Sequence, residues 1–216
     1  LSLWRSLTAK LDHVDESERI AYMDRNSKMR LSYDFRQSGA AYNVVNVFEA
    51  LDSPGEWYLD KGDELLYYIP KPGESIDSVE VVAPYLQRIA TITGGKLGRS
   101  DGVKQLNTHP ILEFKGITFS HVEWQAPQDL ATIGQSAPMV LGAIALERAH
   151  YVTFTGCTIN HVGTYAISLE DNCTDIVISH CNMTDMGAGG VNILHGCSRN
   201  TVTDCEIGDG GHLYPP

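Results

Sequence analysis

The chain has 216 residues, 43% of them apolar and 20% charged, which is enough for one sizeable core in one domain or two closely packed ones. With 16 basic against 27 acidic side chains the formal net charge is −11, and no Lys/Arg cluster supplies the footprint that nucleic-acid or anionic-membrane binding needs. The longest apolar stretches, such as residues 139–146, fall far short of the roughly 20 residues that span a bilayer, so neither nucleic acid nor a membrane is an expected partner.

Residues 1–75 carry no repeat. Residues 1–19 could hold a short amphipathic helix, whereas residues 42–49 and 56–69 read as strands around turns at Asp52–Gly55 and Lys61–Asp63. Trp57, Tyr58, Tyr67 and Tyr68 are expected in the core of those strands. An irregular β-rich flank of this kind would cover an open edge of the region C-terminal to it. Residues 76–216 form that second region. Residues 79–93 read as an irregular coil with residues 94–107 as its loop, and residues 117–124 (ITFSHVEW) as a further strand. Residues 125–142 are extra to the pattern, an insertion expected on the outside, where binding walls are built.

From residue 143 the sequence repeats. Residues 152–159 (VTFTGCTI), 176–183 (IVISHCNM) and 200–207 (NTVTDCEI) superpose at a spacing of 24 residues. Residues 143–147 (AIALE), 166–170 (AISLE) and 190–194 (GVNIL) agree as well, and Gly163, Gly187 and Gly211 mark the same turn. Apolar residues alternate within short runs, giving three strands and three turns per unit. That is an all-β solenoid, a right-handed parallel β-helix of three-strand coils, in which like residues stack about 4.8 Å apart. Helical solenoids fit poorly, because i, i+3, i+4 spacing is absent and β-branched residues abound.

Three runs, 46–60 (NVFEALDSPGEWYLD), 66–74 (LYYIPKPGE) and 116–124 (GITFSHVEW), resemble bacterial right-handed β-helix glycoside hydrolases of the β-xylosidase-like and α-fucosidase-like families. The resemblance covers roughly residues 40–212. It implies hydrolysis of plant or microbial polysaccharide, an oligo- or polysaccharide partner, and an extracellular or periplasmic place in a bacterium. Members are usually longer, and the chain opens at Leu1 and stops just after a pattern ready to continue. It therefore reads as a piece of something larger.

Glycosidic hydrolysis needs two carboxyl groups, one to protonate the leaving oxygen and one as nucleophile or base. Asp185 and Asp209 lie 24 residues apart in the turn before the outward-facing strand, with His161 at the same place one coil earlier. One coil step puts the two carboxyl groups at about 5 to 6 Å, close to the spacing of retaining enzymes. The plainer reading is turn chemistry, since Asp before Gly often caps backbone N–H groups. On the adjoining strand Ala145, Ser168 and Asn192 form one outward row, and Glu147 and Glu170 a second carboxylate pair in the next. Glu147, Glu170, His161, Asn192 and His195 are candidate sugar-binding residues. Trp124 is a candidate stacking platform, although its nominally inward position also fits core packing, and Tyr165 and Tyr214 lie in or after turns.

The five cysteines, Cys157, Cys173, Cys181, Cys197 and Cys205, fall at two ladder positions and read as stacked free thiols, while the spacing also permits a disulfide between neighbouring coils with at least one thiol left over. No C-x-x-C pair occurs, so no metal and no cofactor is expected. Two rivals to hydrolysis remain. A polysaccharide lyase would use a Lys or Arg base with calcium, and only Arg148 and Arg199 lie near the exposed rows. A non-catalytic carbohydrate-binding or scaffold β-helix would bind without turnover and self-associate through open coil ends.

Overall fold

The computed structural model describes residues 9–26, 42–75, 77–94, 111–124, 137 and 139–213. Near the N-terminus, β1 (Leu11–Asp15) and β2 (Ile20–Met23) form an antiparallel hairpin. The helix expected within residues 1–19 therefore gives way to strand from residue 11, and residues 1–8 lie outside the described residues. Asp15 explains the change, since its Oδ1 accepts the backbone N–H groups of Ser17 and Glu18 at 2.9 and 3.0 Å. A side chain that caps its own turn competes with helical hydrogen bonding.

A second hairpin joins β3 (Trp57–Asp60) to β4 (Leu65–Tyr68), close to the strand expected over residues 56–69. Residues 42–47 are not a strand, and a 3₁₀ turn follows at Phe48–Ala50. The edge of β3 is instead met by one side chain: Asn46 Nδ2 donates to Leu59 O and Asn46 Oδ1 accepts Leu59 N–H, both at 3.2 Å. Phe48, Tyr58 and Tyr67 pack edge-on around this hairpin. Trp57 is 62% exposed, so the core role expected for it is not met.

The remaining strands build a right-handed parallel β-helix. Its first coil comprises β5 (Ala90–Thr93), β6 (Leu112–Lys115) and β7 (Thr118–Val122), and its second β8 (Gly142–Glu147), β9 (Val152–Thr155) and β10 (Thr158–Val162). β11 (Tyr165–Leu169), β12 (Val177–Ser179) and β13 (Asn182–Met186) make the third. β14 (Val191–Ile193), β15 (Thr201–Thr203) and β16 (Glu206–Ile207) make the fourth. The sheets run β14-β11-β8-β5, β15-β12-β9-β6 and β16-β13-β10-β7, all parallel. Residues 79–89 form no strand, so the irregular coil expected over residues 79–93 shrinks to β5 and shares its coil with β6 and β7.

Register follows the 24-residue period, with Phe154 opposite Ile178, Ile159 opposite Met183, and Ile167 opposite Val191. Stacking like on like fills the interior. Phe114 and Phe154 lie ring on ring at 4.8 Å, continued by Ile178 and Val202. Ile92, Leu146, Leu169 and Ile193 form a parallel row. Ile144, Leu146, Phe154, Ile159, Ile167, Leu169, Ile178 and Met183 are essentially buried. Ile193, Val202 and Ile207, the rung with no described coil upon it, are exposed.

The corners carry a second regularity. Gly116, Gly156, His180 and Asp204 have φ of 64°, 61°, 53° and 51°, and His121, His161, Asp185 and Asp209 have 64°, 52°, 52° and 52°. Arg148, Asn172 and Gly196, and then Tyr151, Asp175 and Arg199, are left-handed too. The coils thus turn at recurring positive-φ positions, which Gly, Asn, Asp and His occupy at least cost, although Arg148, Tyr151 and Arg199 hold them as well. At Gly187 even a methyl group is excluded, because a Cβ there would lie 2.3 Å from Gly163 O one coil below.

Cys157, Cys173 and Cys181 are buried, Cys197 and Cys205 half-buried, and none is disulfide-bonded. Burial pushes the Cys173 and Cys181 thiols up from their ordinary value, which disfavours the reactive thiolate. A thiol reagent at mildly alkaline pH should therefore label Cys197 and Cys205 first and the other three only in denaturant, as peptide mapping would read. Truncating Phe154, which is 0% exposed, to Ala should cost about 3–5 kcal/mol in urea unfolding by removing a rung and leaving a cavity.

Candidate functional site

The corner row His121, His161, Asp185 and Asp209 is built by the fold and not by any local motif. In β10 and β13 the register runs Asn160 to Thr184 and then Val162 to Met186, so His161 and Asp185 fall between paired rungs. Their left-handed backbone turns these side chains outward one above the other. The two residues lie inside the strand ends and not in a separate turn as the sequence pattern implies, while Asp209 follows β16.

The stack brings successive side chains of the row into contact. The rings of His121 and His161 lie parallel with centroids 5.0 Å apart. His161 Nδ1 sits 2.5 Å from Asp185 Oδ2. On the other side, His212 Nε2 stands 3.6 Å from Asp185 Oδ1 and 3.0 Å from Asp209 Oδ1. His212 is itself placed by backbone bonding, because its N–H donates to Met186 O while Met186 N–H donates to Asp209 O. Donor atoms of Asp185, Asp209 and His212 all lie within 4.8 Å of one another. The side chains remain open to solvent, with Asp185 46%, His212 49%, His161 52% and Asp209 64% exposed.

Trp124 does not enter the main interior as its alternation implies. It packs with Tyr165 on a small apolar cluster of Ala137, Val140 and Ala188, beside the corner turn. A Cβ on Gly163 would meet the Trp124 backbone N at 3.0 Å, and one on Gly189 would meet the Tyr165 ring at 2.9 Å. These two glycines let both residues approach the turn closely. Burial pushes the Tyr165 phenol up from its ordinary value. Tyr214 lies outside the described residues.

The remaining candidates stand at the far end of the sheet β14-β11-β8-β5. β11 is five residues long, so about 16 Å of strand separates the corner from Glu170. Glu147 is ion-paired with Arg148, which also lies 3.8 Å from Asp171. Glu170 accepts Ser168 Oγ–H at 3.1 Å and lies 3.5 Å from Arg88. They are arginine-bound carboxylates, not a free pair. Ala145 and Ser168, expected to face outward, are fully buried, and the Ser168 hydroxyl also accepts Gly142 N–H. Asn192 shares their row and is half-buried, and His195 is exposed in the turn beyond β14.

Two residues of the corner escape sequence reading. His121 occupies the position of His161 once the insertion between the first two coils is cut out, a signal within reach of the repeat. His212 had none, since its equivalents Ala188 and Thr164 are small and it joins the site only by reaching back along the stack.

A family model described as right handed beta helix region matches residues 105–213, about half of the chain. No curated protein and no solved structure matches.

Because Asn tolerates left-handed backbone and Val does not, Asp185→Asn should leave stability within about 0.5 kcal/mol, whereas Asp185→Val should cost about 1–3 kcal/mol. Urea unfolding of the two variants checks whether the corner is held by its backbone geometry.

Proposed function

Since the chain belongs to the right-handed β-helix family, we propose that it is a carbohydrate-active protein that hydrolyses glycosidic bonds at the Asp185–Asp209 corner. The observation that carries the reading is the pair itself: carboxylate oxygens of Asp185 and Asp209 within 4.8 Å of each other on an open surface. Retaining glycosidases hold their two carboxyl groups about 5–5.5 Å apart. Asp185 is steadied by His161 on one oxygen and faces His212 with the other, which suits a nucleophile that must attack along one line. Asp209 is the more exposed of the two and suits the acid–base role, which gives up a proton in the first step and takes one from water in the second.

Two further features support sugar as the partner. Trp124 and Tyr165 lie beside the corner, and aromatic faces are where sugar C–H surfaces pack. Elimination finds less support, because Arg148 is paired with Glu147 and Arg199 is bound through two nitrogens to Asp175, drawing that carboxyl below its ordinary value. Neither guanidinium is placed to take a proton from substrate.

Turnover on aryl xylosides, fucosides, galactosides and arabinosides is the test. Asp185→Asn and Asp209→Asn should each lower kcat by about 10²–10⁴-fold with the fold intact. Turnover by the parent chain that survives both substitutions overturns the assignment of the pair. Binding of sugars with no turnover by the parent chain replaces the hydrolase with a binding module.

A further inference from the structure

We propose that Asp185, Asp209 and His212 form a binding site for a divalent transition-metal ion of the zinc class, with cobalt(II) as its spectroscopic stand-in. The ligands are one carboxylate oxygen from each Asp and Nε2 of His212, with His161 behind Asp185. The proposal does not rest on hydrolysis at this corner, since the ion and that chemistry would compete for the same two carboxylates.

The geometry carries the site. With metal–ligand bonds of about 2.1 Å, the edges of a tetrahedron are about 3.4 Å long. His212 Nε2 lies 3.0 Å from Asp209 Oδ1 and 3.6 Å from Asp185 Oδ1, on either side of that length, and the third edge is at most 4.8 Å. Three protein ligands leave a fourth position, and the exposure of all three side chains gives that position to water. The second oxygen of Asp185 meets His161 Nδ1 at 2.5 Å, the outer contact that commonly orients a ligating carboxylate.

Ligand type selects the ion. Calcium takes six to eight oxygen ligands, and a site with three donors, one of them an imidazole nitrogen, serves it poorly. Zinc takes imidazole nitrogen and carboxylate oxygen together in tetrahedral sites that keep one position open. The cysteines play no part: they stack in the interior at other corners, with their thiols on backbone carbonyls such as Leu146 O and Phe154 O.

Backbone preorganisation makes the site more than a chance meeting of exposed charges. Asp185 and Asp209 are fixed by left-handed φ of 52° each, and His212 is bonded through its N–H to Met186 O in the coil of Asp185. An ion here would tie two successive coils together.

Cobalt(II) is the probe, titrated into the whole chain without substrate, because its visible absorption reports coordination directly. Saturation at one equivalent is expected, with displacement by zinc and not by calcium. Asp209→Asn and His212→Ala should each abolish the absorption with circular dichroism unchanged, and His161→Ala should weaken binding by about 10–100-fold. The proposal is overturned by the absence of saturable binding, by binding unchanged in both ligand variants, which is adventitious uptake by an acidic surface, or by calcium displacing cobalt as well as zinc does. Since no sugar is present, these outcomes are independent of whether the corner hydrolyses anything.

Discussion

The structure depends on one constraint: each coil must lie in parallel register on the last. Hydrogen bonds between coils satisfy the backbone, and inside the solenoid register forces every apolar side chain onto its own equivalent. Phe114 on Phe154, and Ile159 on Met183, are direct results. Apolar surfaces gain from this repetition because like shapes stack without voids. A loss of register by one residue would turn the whole row outward. The 24-residue period is therefore a physical requirement and not only a pattern.

Outside, the same constraint works in reverse. Stacking like on like would place equal charges at coil spacing, which is unfavourable. The rows answer by alternating complementary groups. Arg199 binds Asp175, His161 meets Asp185, Asn182 donates to Glu206, and His150 contacts Thr174, each 24 residues apart. External ladders thus carry information that the interior does not, because each rung must suit its neighbours chemically as well as sterically.

The coil region was legible because its signal is periodic and concerns burial, which alternation reports directly. Strand order, register and the buried cysteines follow from it. The flank was less legible, since its structure is set by single side chains: Asp15 capping a turn and Asn46 meeting the edge of β3 leave no periodic trace. The stacking of Asp185, Asp209 and His161 was legible from equal spacing alone. What spacing cannot report is which side chains reach along the stack, and so His212 was invisible. Nor can it report what lies over a strand, and so Ala145 and Ser168 read as exposed when they are buried. The arginine partner of Glu170 was hidden for a similar reason, Arg88 being far away in sequence.

The corner row then poses a question that stability alone does not answer. A left-handed position is well served by Gly or Asn, and other rows use both, at Gly156 and Asn172. The row through Asp185 uses neither in its described rungs. It passes from two stacked imidazoles to two adjacent carboxylates, and it places a third imidazole from the following turn against both. Like charges one coil apart oppose folding unless something between them offsets the repulsion, and His212 occupies that place. A carboxylate pair bracketed by imidazoles and open to water is costly as structure and useful as chemistry, to a sugar as acid and nucleophile or to a metal ion as ligands. Both uses draw on the same property, a backbone that holds two exposed acids together at the spacing of the coils.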